Sequence, residues 1–70
     1  MAGTLRIELN GEPRDLQAGA TLAELVRSLG LACEQVAVER NRRLVPRKEY
    51  ELTALVAGDR IEVVTLVGGG

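Results

Sequence analysis

Seventy residues carrying nine basic and ten acidic side chains, for a net charge of −1, and a single cysteine fit one small domain without an internal disulfide. There is no histidine, and Ser28 and Cys33 are the lone serine and cysteine. No Ser-His-Asp or Cys-His arrangement can therefore be assembled, and a Cys/His zinc site lacks ligands.

Thr4 to Asn10 alternates, with Leu5, Ile7 and Leu9 on one face and Arg6 and Glu8 on the other, the period of a half-buried strand. Asn10-Gly11 follows, a pair suited to a type I′ hairpin turn because both central residues need positive φ. A short second strand is expected over Arg14 to Gln17, after Pro13. Thr21-Leu22-Ala23-Glu24 then reads as a capping box. Leu22, Leu25, Val26 and Leu29 fall at helical spacing on one stripe, and Gly30 is placed to end a helix of about nine residues in a left-handed conformation.

Val36 to Arg40 predicts a third strand, Asn41-Arg42 a turn and Arg43-Leu44-Val45 a fourth strand. Pro46 holds Val45 extended and cannot donate to a ladder, which assigns that strand to an edge. A single helical turn over Arg47 to Leu52 would tuck Tyr50, the one aromatic residue, inward. Ala57-Gly58-Asp59 is a turn, and Ile61 to Val67 is the most β-prone stretch of the chain. Acidic residues fall mainly at alternate strand positions or on the polar helix face, where solvent exposure is expected. One hairpin, one helix and the remaining strands give an α+β fold, a mixed sheet of four to five strands with the helix packed on one face. This order is similar to the β-grasp architecture of ubiquitin, whose last strand lies mid-sheet beside the first. Residues 1–67 form the domain and residues 68–70 a flexible tail.

Three glycines, Gly68-Gly69-Gly70, directly follow that strand. Without Cβ atoms they can enter a channel too narrow for side chains and present a terminal carboxylate at Gly70. Activation of that carboxylate, by attack on the α-phosphorus of ATP, would make an acyl-adenylate from which a sulfur nucleophile can displace AMP. All catalytic groups would belong to a partner, so the chain itself is expected not to be an enzyme. The competing reading is an inert, frayed glycine-rich end.

The sequence resembles the thiamine-biosynthesis sulfur carriers (the ThiS-like family) along almost its whole length. The resemblance rests on Asn10-Gly11, Thr21 to Leu25, the segment Asn41-Arg42-Arg43-Leu44-Val45-Pro46-Arg47, and Gly58-Asp59-Arg60-Ile61 running to Gly69-Gly70. It implies a ubiquitin-like β-grasp fold and a thiocarboxylate formed on Gly70. It also implies an E1-like adenylyltransferase (ThiF-like) using ATP and magnesium, a sulfur donor protein, and a thiazole synthase (ThiG-like) that receives the sulfur. The chain itself would bind no cofactor. Gly68 stands where family members often carry another small residue.

If Ile61 and Val63 face the core, Glu62 and Val64 face outward. Val64, Val67, Gly68 and Gly69 are then the expected partner contacts beside Gly70. Arg40, Arg42, Arg43, Arg47 and Lys48 form a basic cluster, read as a solvated hairpin and charged strand edge in preference to a steering surface. Cys33 is read as a small, partly buried residue after the helix in preference to a sulfur relay. Nucleic acid is disfavoured by the net charge and the lack of stacking aromatics. No apolar run reaches a membrane span and no signal-peptide core precedes the domain, so a cytoplasmic protein, monomeric when free, is expected. Three alternatives stay open. They are a carrier resembling the small subunit of molybdopterin synthase, a non-covalent β-grasp interaction module, and a ubiquitin-like modifier of lysines.

Overall fold

A computed structural model describes residues 3–66. Five strands and one helix follow in the order β1 (Thr4–Leu9), β2 (Glu12–Gln17), α1 (Leu22–Ser28), β3 (Val36–Arg40), β4 (Arg43–Val45) and β5 (Arg60–Thr65). Single 3₁₀ turns at Cys33–Gln35 and Arg47–Glu49 flank the β3–β4 hairpin. The sheet order is β2-β1-β5-β3-β4, so the last strand lies in the middle, parallel to β1 and antiparallel to β3. This is the mixed β-grasp sheet expected, with five strands.

Local chemistry accounts for most boundaries. Asn10 and Gly11 both adopt positive φ (50° and 85°), which closes the β1–β2 hairpin. Asn41 and Arg42 do the same between β3 and β4, at 53° and 71°. Thr21 caps α1: its hydroxyl accepts from the Glu24 N–H while the Glu24 carboxylate accepts from the Thr21 N–H. Gly30 takes φ +78° just past the helix. The helix is seven residues long, two fewer than the stripe suggests, because Leu29 already leaves helical geometry as the C-cap. β2 starts two residues earlier than expected. Pro13 sits in the ladder opposite Glu8, which an edge strand tolerates because its outer side needs no N–H donor. β5 ends at Thr65, with Val67 outside the described residues.

The core lies between the sheet and α1. Leu22, Ala23, Leu25 and Val26 of the helix meet Ile7, Val36, Val38, Ile61 and Val63 of the three central strands, with Tyr50 and Leu55 sealing one end. Each large aliphatic group buried there contributes about 1.5–3 kcal/mol. A helix of two turns does not persist alone. Its start is tied to the segment between β4 and β5: Leu22 N–H donates to Thr53 O, Ala23 N–H to Tyr50 O, and Leu55 N–H to Ala20 O.

Candidate functional site

The central strand β5 leads toward Gly68–Gly70, and two asparagines hold it from opposite sides. Asn10, in the first hairpin turn, spans Val63: its Oδ1 accepts from the Val63 N–H at 2.9 Å and its Nδ2 donates to Val63 O at 3.3 Å. Asn41, in the second turn, accepts from the Arg60 N–H at 2.9 Å, while its own N–H donates to Arg60 O at 2.7 Å. Left-handed turn geometry aims both side chains at the strand between the two hairpins. Sequence reading identified these residues as turn formers but missed their second role.

Asp59 corrects the expectation of exposed acids. It is 3% exposed and accepts from Arg40 Nε at 3.0 Å, Asn41 Nδ2 at 3.1 Å and the Val56 N–H at 2.9 Å. Burial pushes its pKa up, but these donors and the Arg40 charge outweigh it and hold the carboxyl below its ordinary value. Arg40 therefore leaves the solvated basic cluster and becomes part of the lock at the root of β5. Arg42, Arg43, Arg47 and Lys48 are all exposed, and Arg47 donates to Glu34 O. A Gly-Asp pair before a strand was the available clue: a turn carboxylate commonly accepts from nearby backbone N–H groups.

Along β5 the alternation is as expected. Ile61 and Val63 are buried, and Val64 is 59% exposed on the face away from the helix. Val64 lies opposite Ala37, and Glu62 opposite Glu39, which in turn faces Leu44. Leu44 and Leu66 are also more than half exposed. The outward face thus carries apolar side chains beside two facing carboxylates, an arrangement that destabilises the free sheet slightly. The other expected contacts, Val67, Gly68 and Gly69, lie outside the described residues, as does Gly70.

Cys33 opens the first 3₁₀ turn and packs, partly buried, against the core. Among the described residues no helix is long and apolar enough to cross a membrane.

Residues 7–70 match the sequence profile of the ThiS family. A thiazole synthase of Magnetococcus marinus is 50% identical over 66 residues, covering 94% of this chain but only 20% of that protein. The sulfur carrier protein ThiS of Thermus thermophilus is 42% identical over 62 residues, covering 89% of this chain and 95% of that one. The crystal structure of a thiamine biosynthesis protein (ThiS) from Geobacter metallireducens aligns with a TM-score of 0.79 at 29% identity, covering 94% of this chain and all of that one. The mid-sheet β5, the hairpins around it and a profile match running through Gly70 agree: this chain belongs to the ThiS family, with its ubiquitin-like β-grasp fold.

Proposed function

We propose that this chain is a sulfur carrier for thiazole formation in thiamine biosynthesis. The carboxylate of Gly70 attacks the α-phosphorus of ATP on an E1-like adenylyltransferase, releasing pyrophosphate. Hydrosulfide supplied by a donor protein then attacks the acyl carbon and expels AMP, leaving a thiocarboxylate. Thiazole synthase takes that sulfur. The chain supplies the carboxyl group and a gripping surface, and the partners supply ATP, magnesium and the catalytic groups.

The observation that carries this reading is the profile match extending through Gly70, joined to a strand that is locked mid-sheet and ends five residues before it. A ladder on one side, Asn10 on the other and Asp59 at the root make β5 a rigid base for an arm. The thiazole synthase relative that contains a segment like this chain supports thiazole synthase as the acceptor. It also favours the thiamine branch over a molybdopterin one.

The deciding experiment is intact mass spectrometry after incubation with a cognate E1-like enzyme, ATP, magnesium and a sulfur donor. The expected result is replacement of one oxygen by sulfur at Gly70. No gain, where an established carrier is converted in parallel, would leave a non-covalent module as the better reading, and high-mass lysine conjugates would point to a modifier.

The outward face should matter to the same reaction. Val64→Asp puts a charge at an exposed position beside Ala37, so the fold should melt within a few degrees of wild type. Activation should nevertheless slow by roughly tenfold or more, the cost of desolvating a carboxylate against an apolar partner surface. Wild-type activation rates in this variant would remove Val64 from the contact.

A further inference from the structure

The hydrogen-bond parity of β5 exposes a feature of its edge. Asn41 N–H donates to Arg60 O and Leu66 N–H to Gln35 O, so the even-numbered residues from 60 to 66 bond toward β3. The odd-numbered residues turn their N–H and C=O groups toward β1. There Asn10 N–H donates to Ile61 O, and the Asn10 side chain takes both backbone groups of Val63. The β1–β5 register has already ended at Leu9–Ile61, because β1 turns back at Asn10-Gly11. Asn10 therefore replaces one further strand residue, and then the ladder stops. Thr65, next in the series and solvent exposed, has no hydrogen-bond partner on that side among the described residues.

Among the described residues this is a short stretch of open edge within a central strand, and it begins five residues before Gly70. An open edge accepts another extended backbone, whose N–H and C=O groups match its spacing. Val64 and Leu66 flank Thr65, and both are more than half exposed. Their side chains would cover an added strand with apolar surface. We propose that an extended segment of thiazole synthase pairs with the Thr65 backbone beside Asn10, lengthening the sheet and setting the direction in which the tail leaves it. This rests on the carrier reading. The occupant is chosen because a thiazole synthase relative contains, within its own chain, a segment similar to this one.

The test uses Thr65→Pro, which deletes an N–H that no described residue accepts, with Thr65→Ala as the partner that keeps it. Binding of each to purified thiazole synthase from the same organism is measured by calorimetry. Wild type and Thr65→Ala should bind alike, and Thr65→Pro should bind about tenfold more weakly, since a carbonyl in the partner loses its donor. Amide hydrogen exchange on the wild-type protein guards against a folding defect in the proline variant. The Thr65 amide should exchange quickly in the free protein and at least tenfold more slowly in the complex. Unchanged affinity in a folded Thr65→Pro, or unchanged exchange at Thr65 in the complex, overturns the proposal and leaves the carrier reading standing. If wild type fails to bind thiazole synthase at all, the acceptor named in that reading is wrong and the edge pairing falls with it.

Discussion

Asp59→Ala is expected to cost about 3 kcal/mol, and to lower the melting midpoint by roughly 12–24 °C for a domain of this size. The reason is what the substitution leaves behind. Arg40 Nε, Asn41 Nδ2 and the Val56 N–H all lose their acceptor, and the Asp59 site is 3% exposed, so water cannot easily replace it. Asn41 also holds the start of β5, so the damage reaches the strand that leads to the tail. Thermal unfolding followed by circular dichroism measures the effect. A midpoint within a few degrees of wild type would mean that the donors find other acceptors and that Asp59 is not the lock at the root of β5.

The same carboxylate sets a sign for the acid dependence of stability. Burial raises the Asp59 pKa, and its hydrogen bonds and the Arg40 charge lower it further than burial raises it, so the net folded value is depressed. A depressed carboxyl stabilises the fold at pH values above its unfolded pKa of about 4. That contribution is lost as pH falls through the folded value. The stability gap between wild type and Asp59→Ala should therefore be fully open near neutral pH and narrow on acidification below about pH 4. Asp15 is also held low, by its hydrogen bond to Arg6, but both groups are exposed, so their pair adds little to the same trend.

What the sequence reveals about this molecule divides by the distance over which information acts. The Asn10-Gly11 turn, the Thr21–Glu24 capping box, Gly30 and the alternation from Ile61 to Val64 are encoded within a few neighbouring residues, and all appear in the structure as read. The role of the Asn10 side chain is not, because its partner Val63 lies 53 positions away. Asp59 and Arg40 are 19 positions apart, and nothing in either one's neighbours announces the pairing. Arg42 at φ +71° is a related case: the turn is legible from Asn41, but a second left-handed residue without glycine follows from closure of the two-residue hairpin. At the candidate site, the exposure of Val64 follows from period-two patterning, while the open edge at Thr65 depends on where β1 turns away, a property of the sheet and not of β5.

One alanine appended after Gly70 should abolish sulfur loading while leaving the fold unchanged. The extended protein still ends in a free α-carboxylate of ordinary chemistry, so reactivity alone predicts no loss. Position predicts a large one, because an extra residue displaces the carboxylate by up to about 3.5 Å along an extended chain. A misplacement of about 1 Å at a reacting centre can cost on the order of a hundredfold. Loading should thus fall by at least about a hundredfold when the partner grips β5, held by Asn10, Asn41 and Asp59, and the carboxyl group together, because the added residue then carries the carboxylate past the reacting centre. The readout is the fraction converted to thiocarboxylate by intact mass, with thermal melting as the control for folding. A non-covalent interaction module would tolerate the extra residue, and so would an activating enzyme that reads only the carboxyl group and ignores its distance from β5. Retained loading in the extended protein would therefore show that reach from the sheet does not govern the chemistry, and the rigid anchoring of β5 would then serve stability alone.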